Sequence, residues 1–477
     1  MSPSKKRRFD LARLPAATGE ALDDRLQGAT ILRRAINKVF PDHWSFLLGE
    51  IALFCFVILL ATGTFMTFFY VPSGAPVTYD GPYPPLQGAE VSAAFDSVMH
   101  LSFEVQAGLL MRQIHHWTAL TFVAVVVLHL MRVFFTGAFR RPRELNWIVG
   151  FGLLVLALAE GFTGYSLPDD LLSGTGARIL YSVLLSVPFI GPWLASLLFG
   201  GEFPTDAIIP RLFVLHVLFL PGLVIGAITV HLVLLVLHKH TQHRGPLARE
   251  DNVVGRYFWP GQVFLSSGLF FLTAAVLAVI GGLFQINPIW LYGPFEASVV
   301  ASPAQPDWYV GWLDGALRIF PPFEPVILGI TIPSVFVPGI VLPGILFTIV
   351  ALWPFAEAWL SKDRAEHHLL DDPWDHPVRL ATGLAILTVF GVLTLAGGND
   401  VLAFYFGTDV HTLTVLFRWL SLILPVVVWL VAWRFALARR GAGEGAAPGP
   451  DDPETEGRRP GSAVRRNAAG GFEEVES

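Results

Sequence analysis

Between Arg112 and Arg132 the chain carries no charged residue and is apolar enough to cross a bilayer, yet it keeps His115, His116 and His129. A histidine in lipid needs a reason. His115 and His129 are 14 residues apart, so at about 100° per residue the second ring returns to within about 40° of the first, about 21 Å along the axis. His116 falls about 140° off the face of His129. A second apolar stretch, RLFVLHVLFLPGLVIGAITVHLVLLVLH at 211–238, holds His216 and His231, 15 apart, about 60° out of phase and about 22 Å along. Pairing His115 with His216 and His129 with His231 gives two bis-histidine sites near opposite leaflets, an arrangement suited to two cofactors stacked across the membrane. Histidine pairs across helices are a haem ligation mode.

One intramembrane histidine is as compatible with packing or a proton relay as with a cofactor. Two matched pairs shift the balance to a cofactor. Zinc fits poorly, because it takes about four ligands in a tight tetrahedron and no Cys or further His lies at these depths.

The elements that must position these histidines are membrane helices. With 477 residues, 53% of them hydrophobic and 15% charged, this is an all-α integral membrane protein. Its only cysteine, Cys55, sits in an apolar run, which excludes disulfides, cysteine-held iron–sulfur clusters and CxxCH-attached haem within the chain. Nothing in the composition points to nucleic acid, since the net charge of −6 arises in loops and tails.

Residues 1–42 open with KKRR but lack the apolar run of a signal peptide, and read as a cytoplasmic segment with a surface helix. Trp44–Tyr70 is the first span, and its Gly49 and Gly63 repeat the 14-residue separation, as do Gly150 and Gly164 in the span at 146–165. Transmembrane glycines often serve close helix packing; here they would also admit a flat ring at each of the two histidine depths. Residues 171–209 are broken by Gly and Pro into pieces too short to span. Further spans fall at 260–284, 333–354, 378–397 and 411–436, the sixth interrupted by proline. Eight transmembrane helices result. The di-haem four-helix bundle occupies 43–245, a four-helix part with a PDWY loop 246–438, and a disordered cytoplasmic tail 439–477. The amino terminus, the RRPR loop, 239–256, 361–379 and the tail are rich in Lys or Arg while the alternate loops hold almost none. Both termini are therefore expected in the cytoplasm.

The chain resembles cytochrome b of the cytochrome bc complexes over about residues 40–435. The motifs that carry the resemblance are R-x-x-H at Arg112/His115, H-x-x-R at His129/Arg132, Arg211 five before His216, the two glycine pairs, GYSLP at 164–168, SVPFIG at 186–191 and PDWY at 306–309. The continuous eight-span chain, LPDD, LTLAGGND and the long tail are most similar to the actinobacterial menaquinol branch. The resemblance implies two non-covalent b-type haems, the low-potential one on His115 and His216 and the high-potential one on His129 and His231, with Arg112, Arg132 and Arg211 near the propionates. It implies quinol oxidation at an outer site, one electron passing to a Rieske iron–sulfur partner and the other crossing both haems to reduce quinone inside. A cytochrome c subunit, which in this branch can be di-haem, a homodimeric complex, a supercomplex with a terminal oxidase and a bacterial plasma-membrane location also follow from it.

The family's usual PEWY glutamate is Asp307 here, and LPWG is replaced by LPDD. The outer proton acceptor is therefore Asp307, beside Tyr309, or one of Asp169 and Asp170; Asp307 is also placed to cap a helix starting at Trp308. At the inner site, His238, His240, His243 and Asp251 are the candidates. Two other classes compete: a simpler di-haem carrier such as a dehydrogenase anchor, which needs neither PDWY nor eight spans, and a proton-coupled secondary transporter. A reduced-minus-oxidised optical spectrum separates the transporter from the haem readings, and quinol-dependent haem reduction sensitive to an outer-site inhibitor separates the other two. In the same spectrum, His129→Leu or His231→Leu is expected to remove one of the two b-type haems, whereas His116→Leu retains both. Loss of a haem in His116→Leu but not in His115→Leu would show the helical register to be wrong.

Overall fold

The computed structural model describes residues 36–299, 305–444, 463–466 and 472–475. Among these, eight helices are long and apolar enough to cross a membrane. They are α1 (Trp44–Thr67), α3 (Gly108–Phe135), α4 (Glu144–Tyr165), α7 (Ile208–Leu237), α8 (Phe258–Leu283), α10 (Val337–Ser361), α11 (Pro377–Gly397) and α13, whose spanning part is Val410–Arg440. Shorter helices lie between them: α2 (Ala93–Phe103), α5 (Leu171–Leu185), α6 (Gly191–Phe199), α9 (Trp308–Ile319) and α12 (Asn399–Phe406). The all-α membrane class and the eight spans stand as expected, and residues 171–209 fold into α5 and α6 without crossing. The loop at 71–106 is more ordered than its Pro and Gly content suggests. Strands β1 (Val39–Pro41), β2 (Pro76–Thr78) and β3 (Glu90–Ser92) precede α2, and β2 and β3 form a hairpin. Ser92 caps α2 by accepting from the Phe95 amide at 3.2 Å. This small cap packs Tyr79, Val91, Phe95 and Met99 against Ile289.

The proline in the sixth span shows how lipid constrains the backbone. Pro354 lies inside α10 and cannot donate to the carbonyl four residues earlier. Trp147 of α4 fills that role, its indole N–H donating to the Val350 carbonyl at 3.0 Å and the Ala351 carbonyl at 3.2 Å. A freed carbonyl in the membrane is satisfied by a neighbour, and the bond ties α10 to α4.

Helix α1 packs on α3, and α4 on α7. Between the two histidine depths they enclose a plug of Phe56, Phe122, Val123, Ala157 and Val224. Strand β4 (Val254–Tyr257) pairs antiparallel with β1 beside the amino-terminal end of α1. The surface helix expected within 1–42 lies outside the described residues, apart from the stretch around β1. Of the tail expected to lack structure, α13 continues to Glu444, and Ala463–Arg466 (β5) and Phe472–Val475 (β6) join the sheet in the order β1-β4-β5-β6.

Helix α9, which follows PDW, is held by backbone contact. Gly311 and Gly315 lie against α11, and a Cβ added to Gly315 would strike the Leu393 carbonyl oxygen and come within 2.7 Å of the Gly397 nitrogen. Small residues at i and i+4 permit this approach, and van der Waals packing supplies the attraction in lipid. Gly315→Val is therefore expected to displace α9 at a cost of about 1–3 kcal/mol. A lower unfolding temperature with both haem bands intact, and loss of outer-site inhibitor binding, would be the measured signature.

Candidate functional site

Helices α3 and α7 bring the four spaced histidines into two facing pairs. The His115 and His216 ring centroids lie 6.2 Å apart with planes at 73°, and those of His129 and His231 6.4 Å apart at 72°. The 15-residue spacing on α7 is reconciled with the 14-residue spacing on α3 by a π-helical turn at Leu215–Phe219, which absorbs about one residue. The outer rings are anchored through Nδ1: that of His115 lies 2.9 Å from Thr62 Oγ1, and that of His216 3.0 Å from the Glu160 carbonyl oxygen. Their Nε2 atoms are left for a shared partner, as in metal-ligating histidines whose other nitrogen is held by a hydrogen bond.

The residues fit a planar metal–tetrapyrrole. Two imidazoles that shared one metal, at a metal–nitrogen distance of about 2 Å each and about 1.1 Å more to each ring centre, would have centroids about 6.2 Å apart. Both pairs match that separation. The glycines supply the clearance: a Cβ on Gly63 would come 3.2 Å from His115, on Gly49 3.4 Å from His129 and on Gly150 3.3 Å from His231, while one on Gly164 would strike His216. Two guanidinium groups also await carboxylates. Arg112 Nη1 and Arg132 Nε and Nη2 are buried without a hydrogen-bond partner, a costly state for a charge unless an acidic group fills it. Among the described residues no cluster of three or more His, Cys, Asp or Glu could hold a metal ion. The Arg211 guanidinium donates to the Leu197 carbonyl at 2.6 Å, at the carboxyl end of α6, where a helix end presents free carbonyls to a cation.

On the outer side, Asp307 occupies the N-cap position of α9 but makes no side-chain cap hydrogen bond. Its carboxylate faces inward. Both oxygens lie 3.1 Å from His116 Nε2, and the Tyr309 hydroxyl donates to Oδ2 at 3.3 Å. His116 is the residue that helical phase alone set aside: pointing away from the ligand face points it at PDWY. Tyr309 is buried against Gly161, and its burial, with Asp307 beside it, holds the hydroxyl protonated. The two LPDD carboxylates differ. Asp170 caps α5 by accepting from the Leu172 amide at 3.1 Å. Asp169 does no capping, and burial pushes its carboxyl up to about 6, against a Ser92 hydrogen bond that lowers it.

On the inner side a cavity of about 530 Å³ runs from His129 and His231 past Arg132 to Glu50, Gln262 and His240. His240 packs on Phe40 with ring centroids 4.9 Å apart, and burial, with Lys38, Arg143 and Arg132 adding to it, pushes its imidazole down to about 4. His243 lies against His43, the ring centroids 3.9 Å apart and the planes tilted by 42°, and does not line the cavity. His238 and Asp251 do not line the cavity; Asp251 is exposed. Sequence reasoning missed His43 and Glu50. A carboxylate in the first turn of an apolar span was the available signal for Glu50.

A family model described as cytochrome b (N-terminal)/b6/petB matches residues 120–294. The chain is 48% identical to the cytochrome bc1 complex cytochrome b subunit of Mycobacterium tuberculosis, over 88% of this chain and 77% of the relative. It is 46% identical to that of Corynebacterium diphtheriae (88% and 78%) and 45% identical to that of Streptomyces coelicolor (87% and 76%). A solved structure named Hyperthermophilic respiratory Complex III superimposes with a TM-score of 0.65 at 21% identity, covering 87% of this chain and 99% of that one, and so speaks for the fold. Sequence identity of this extent, over a chain that sets two histidine pairs in one helical bundle, means that the protein belongs to the family of cytochrome b subunits of cytochrome bc1 complexes.

Proposed function

We propose that the chain carries electrons across the membrane in a quinol–cytochrome c oxidoreductase, with quinol oxidised at an outer site and quinone reduced at an inner one. The observation that carries this reading is the pair of facing histidine couples at two depths. Bound b-type haems supply reversible one-electron chemistry there. In this assignment His115 and His216 hold the low-potential haem and His129 and His231 the high-potential one. Gly49, Gly63, Gly150 and Gly164 would leave room for the rings, and Arg112 and Arg132 would take the propionates.

At the outer site quinol gives up two electrons and two protons. One electron goes to a Rieske iron–sulfur partner and the other inward. Asp307 accepts a hydroxyl proton, while His116 holds its carboxylate off the helix end and Tyr309 closes the apolar side. Menaquinol as the substrate is supported by the similarity to the actinobacterial proteins. A cytochrome c subunit, a homodimeric assembly and a supercomplex with a terminal oxidase complete the proposed setting. The similarity to the actinobacterial proteins supports a bacterial plasma-membrane location, and the basic loops support cytoplasmic termini.

The absence of a cap bond from Asp307 separates the base role from the capping role. Asp307→Asn is expected to slow quinol oxidation by about 10²-fold or more, with both haem bands unchanged, and His116→Leu to slow it in the same direction while also keeping both haems. If Asp307→Asn turned over at the parent rate from pH 5 to 9, the role would pass to Asp169.

A further inference from the structure

Acidic side chains within the spans are few, and their pairing separates structure from chemistry. Glu357 of α10 is bound by the Arg379 guanidinium through both carboxylate oxygens and receives the Trp353 indole N–H at 2.8 Å. It is a closed ion pair. Glu50, in the first turn of α1, is held differently. Gln262 Nε2 donates to its Oε1 at 2.7 Å and Ser266 Oγ to its Oε2 at 2.6 Å. Both donors are neutral and come from the start of α8, and among the described residues no ion pair to Glu50 is present. Each oxygen keeps lone-pair capacity beyond its one bond, and adding a proton strands no cation. The group also lines the inner cavity that reaches His129 and His231.

The other charged or titratable groups facing this cavity arrive from each neighbouring element: Arg132 from α3, Arg143 from the turn before α4, where it donates to the His238, Lys239 and His367 carbonyls, Arg256 from β4, Asp42 and His43 from the segment before α1, and His240 from the segment after α7. Arg256 is already bound to Asp42, and burial keeps His240 neutral, with its imidazole at about 4. Helix α8 contributes Gln262 and Leu265 to the wall and no titratable group. Of the acids on this wall, Glu50 alone is free of a cation.

We propose that Glu50 is the catalytic acid of the inner site, handing its proton to a carbonyl oxygen of quinone, with Gln262 and Ser266 as positioning residues. This rests on reading the inner cavity as the quinone-reduction site. Two electrons reach the quinone in succession by the transmembrane route. One carbonyl oxygen gains an O–H bond as the carboxyl O–H of Glu50 breaks, and the other takes a proton from the bulk water of the cytoplasmic side. The same water returns a proton to the Glu50 carboxylate, so one quinol forms per two electrons and two protons.

The test uses the purified complex with its outer site blocked by an inhibitor. Menaquinol is added, and reduction of the b-type haem through the inner site is followed optically from pH 5 to 9. Glu50→Gln is expected to retain both haems in the dithionite-reduced spectrum, to slow the inner-site reaction by about 10²-fold or more and to lose the pH dependence shown by the parent. Glu50→Asp recovers part of the rate. A parental rate and pH profile in Glu50→Gln overturns the proposal. Should Glu50→Gln fail to assemble, Ser266→Ala decides: a several-fold loss with an altered pH profile supports the proposal, and a parental profile overturns it. If the parent complex itself shows no haem reduction with the outer site blocked, the inner-site reading fails, and the proposal with it.

Discussion

Everything in this molecule depends on placing imidazoles in a solvent that cannot hydrate them. Lipid offers a polar ring no hydrogen bonds, so a nitrogen of these histidines that protein or cofactor does not provide for carries a desolvation cost. The outer pair shows how this is done: Nδ1 is tied to Thr62 or to the Glu160 carbonyl, and the remaining nitrogens face each other across the gap set by the 6.2 Å centroid separation. Two helices that each carry such a ring at both depths cannot slide or rotate independently. Their register fixes α1 and α4, whose glycines must fall opposite the rings, and α4 in turn fixes α10 through Trp147 and the carbonyls freed by Pro354.

Most of this frame was legible because it repeats. The separations between His115 and His129, between Gly49 and Gly63 and between Gly150 and Gly164 are all the same, and a helix converts equal spacing into equal depth. The one unequal spacing, between His216 and His231, needed a π-turn to close, and a π-turn has no sequence periodicity of its own. What stayed hidden were side-chain meetings across long stretches of chain. His116 and Asp307 are separated by 191 positions, and Glu50 and Gln262 by 212. Helical phase said correctly that His116 leaves the ligand face, but could not say what it then meets. Arg211 shows the same limit: its spacing from His216 could not say that its guanidinium meets the Leu197 carbonyl at the end of α6.

The outer site illustrates how neighbouring carboxylates are sorted by their partners. Asp170 is committed to the first turn of α5. Asp169, one residue earlier and at a positive φ of 53°, points elsewhere, and burial raises its carboxyl toward neutral pH. Asp307 sits at a helix start and leaves that start uncapped. Forgoing a cap costs about 1 kcal/mol, a cost that a residue serving only the helix would not carry. The His116 ring and the Tyr309 hydroxyl account for the choice, since they orient the carboxylate toward the buried face on which Tyr309 packs.

The cluster around Asp371, between the ends of α3, α10 and α11, marks the contrary case and sharpens the distinction. Asp371 is buried, yet Arg140 at 2.8 Å, Arg379 at 2.9 Å and His376 at 3.0 Å surround it. Burial alone would raise its carboxyl, but these partners hold it well below the usual carboxylate range. A depressed carboxylate contributes stability that is present above its unfolded value near pH 4 and lost as the pH falls through its folded value. Such a group does not exchange protons at neutral pH, so its role is to pin the loops after α3 and α10 and the start of α11 together. Enclosure by guanidinium groups thus marks an acid that holds structure, whereas Asp307 and Glu50 have neutral donors or a single histidine against them.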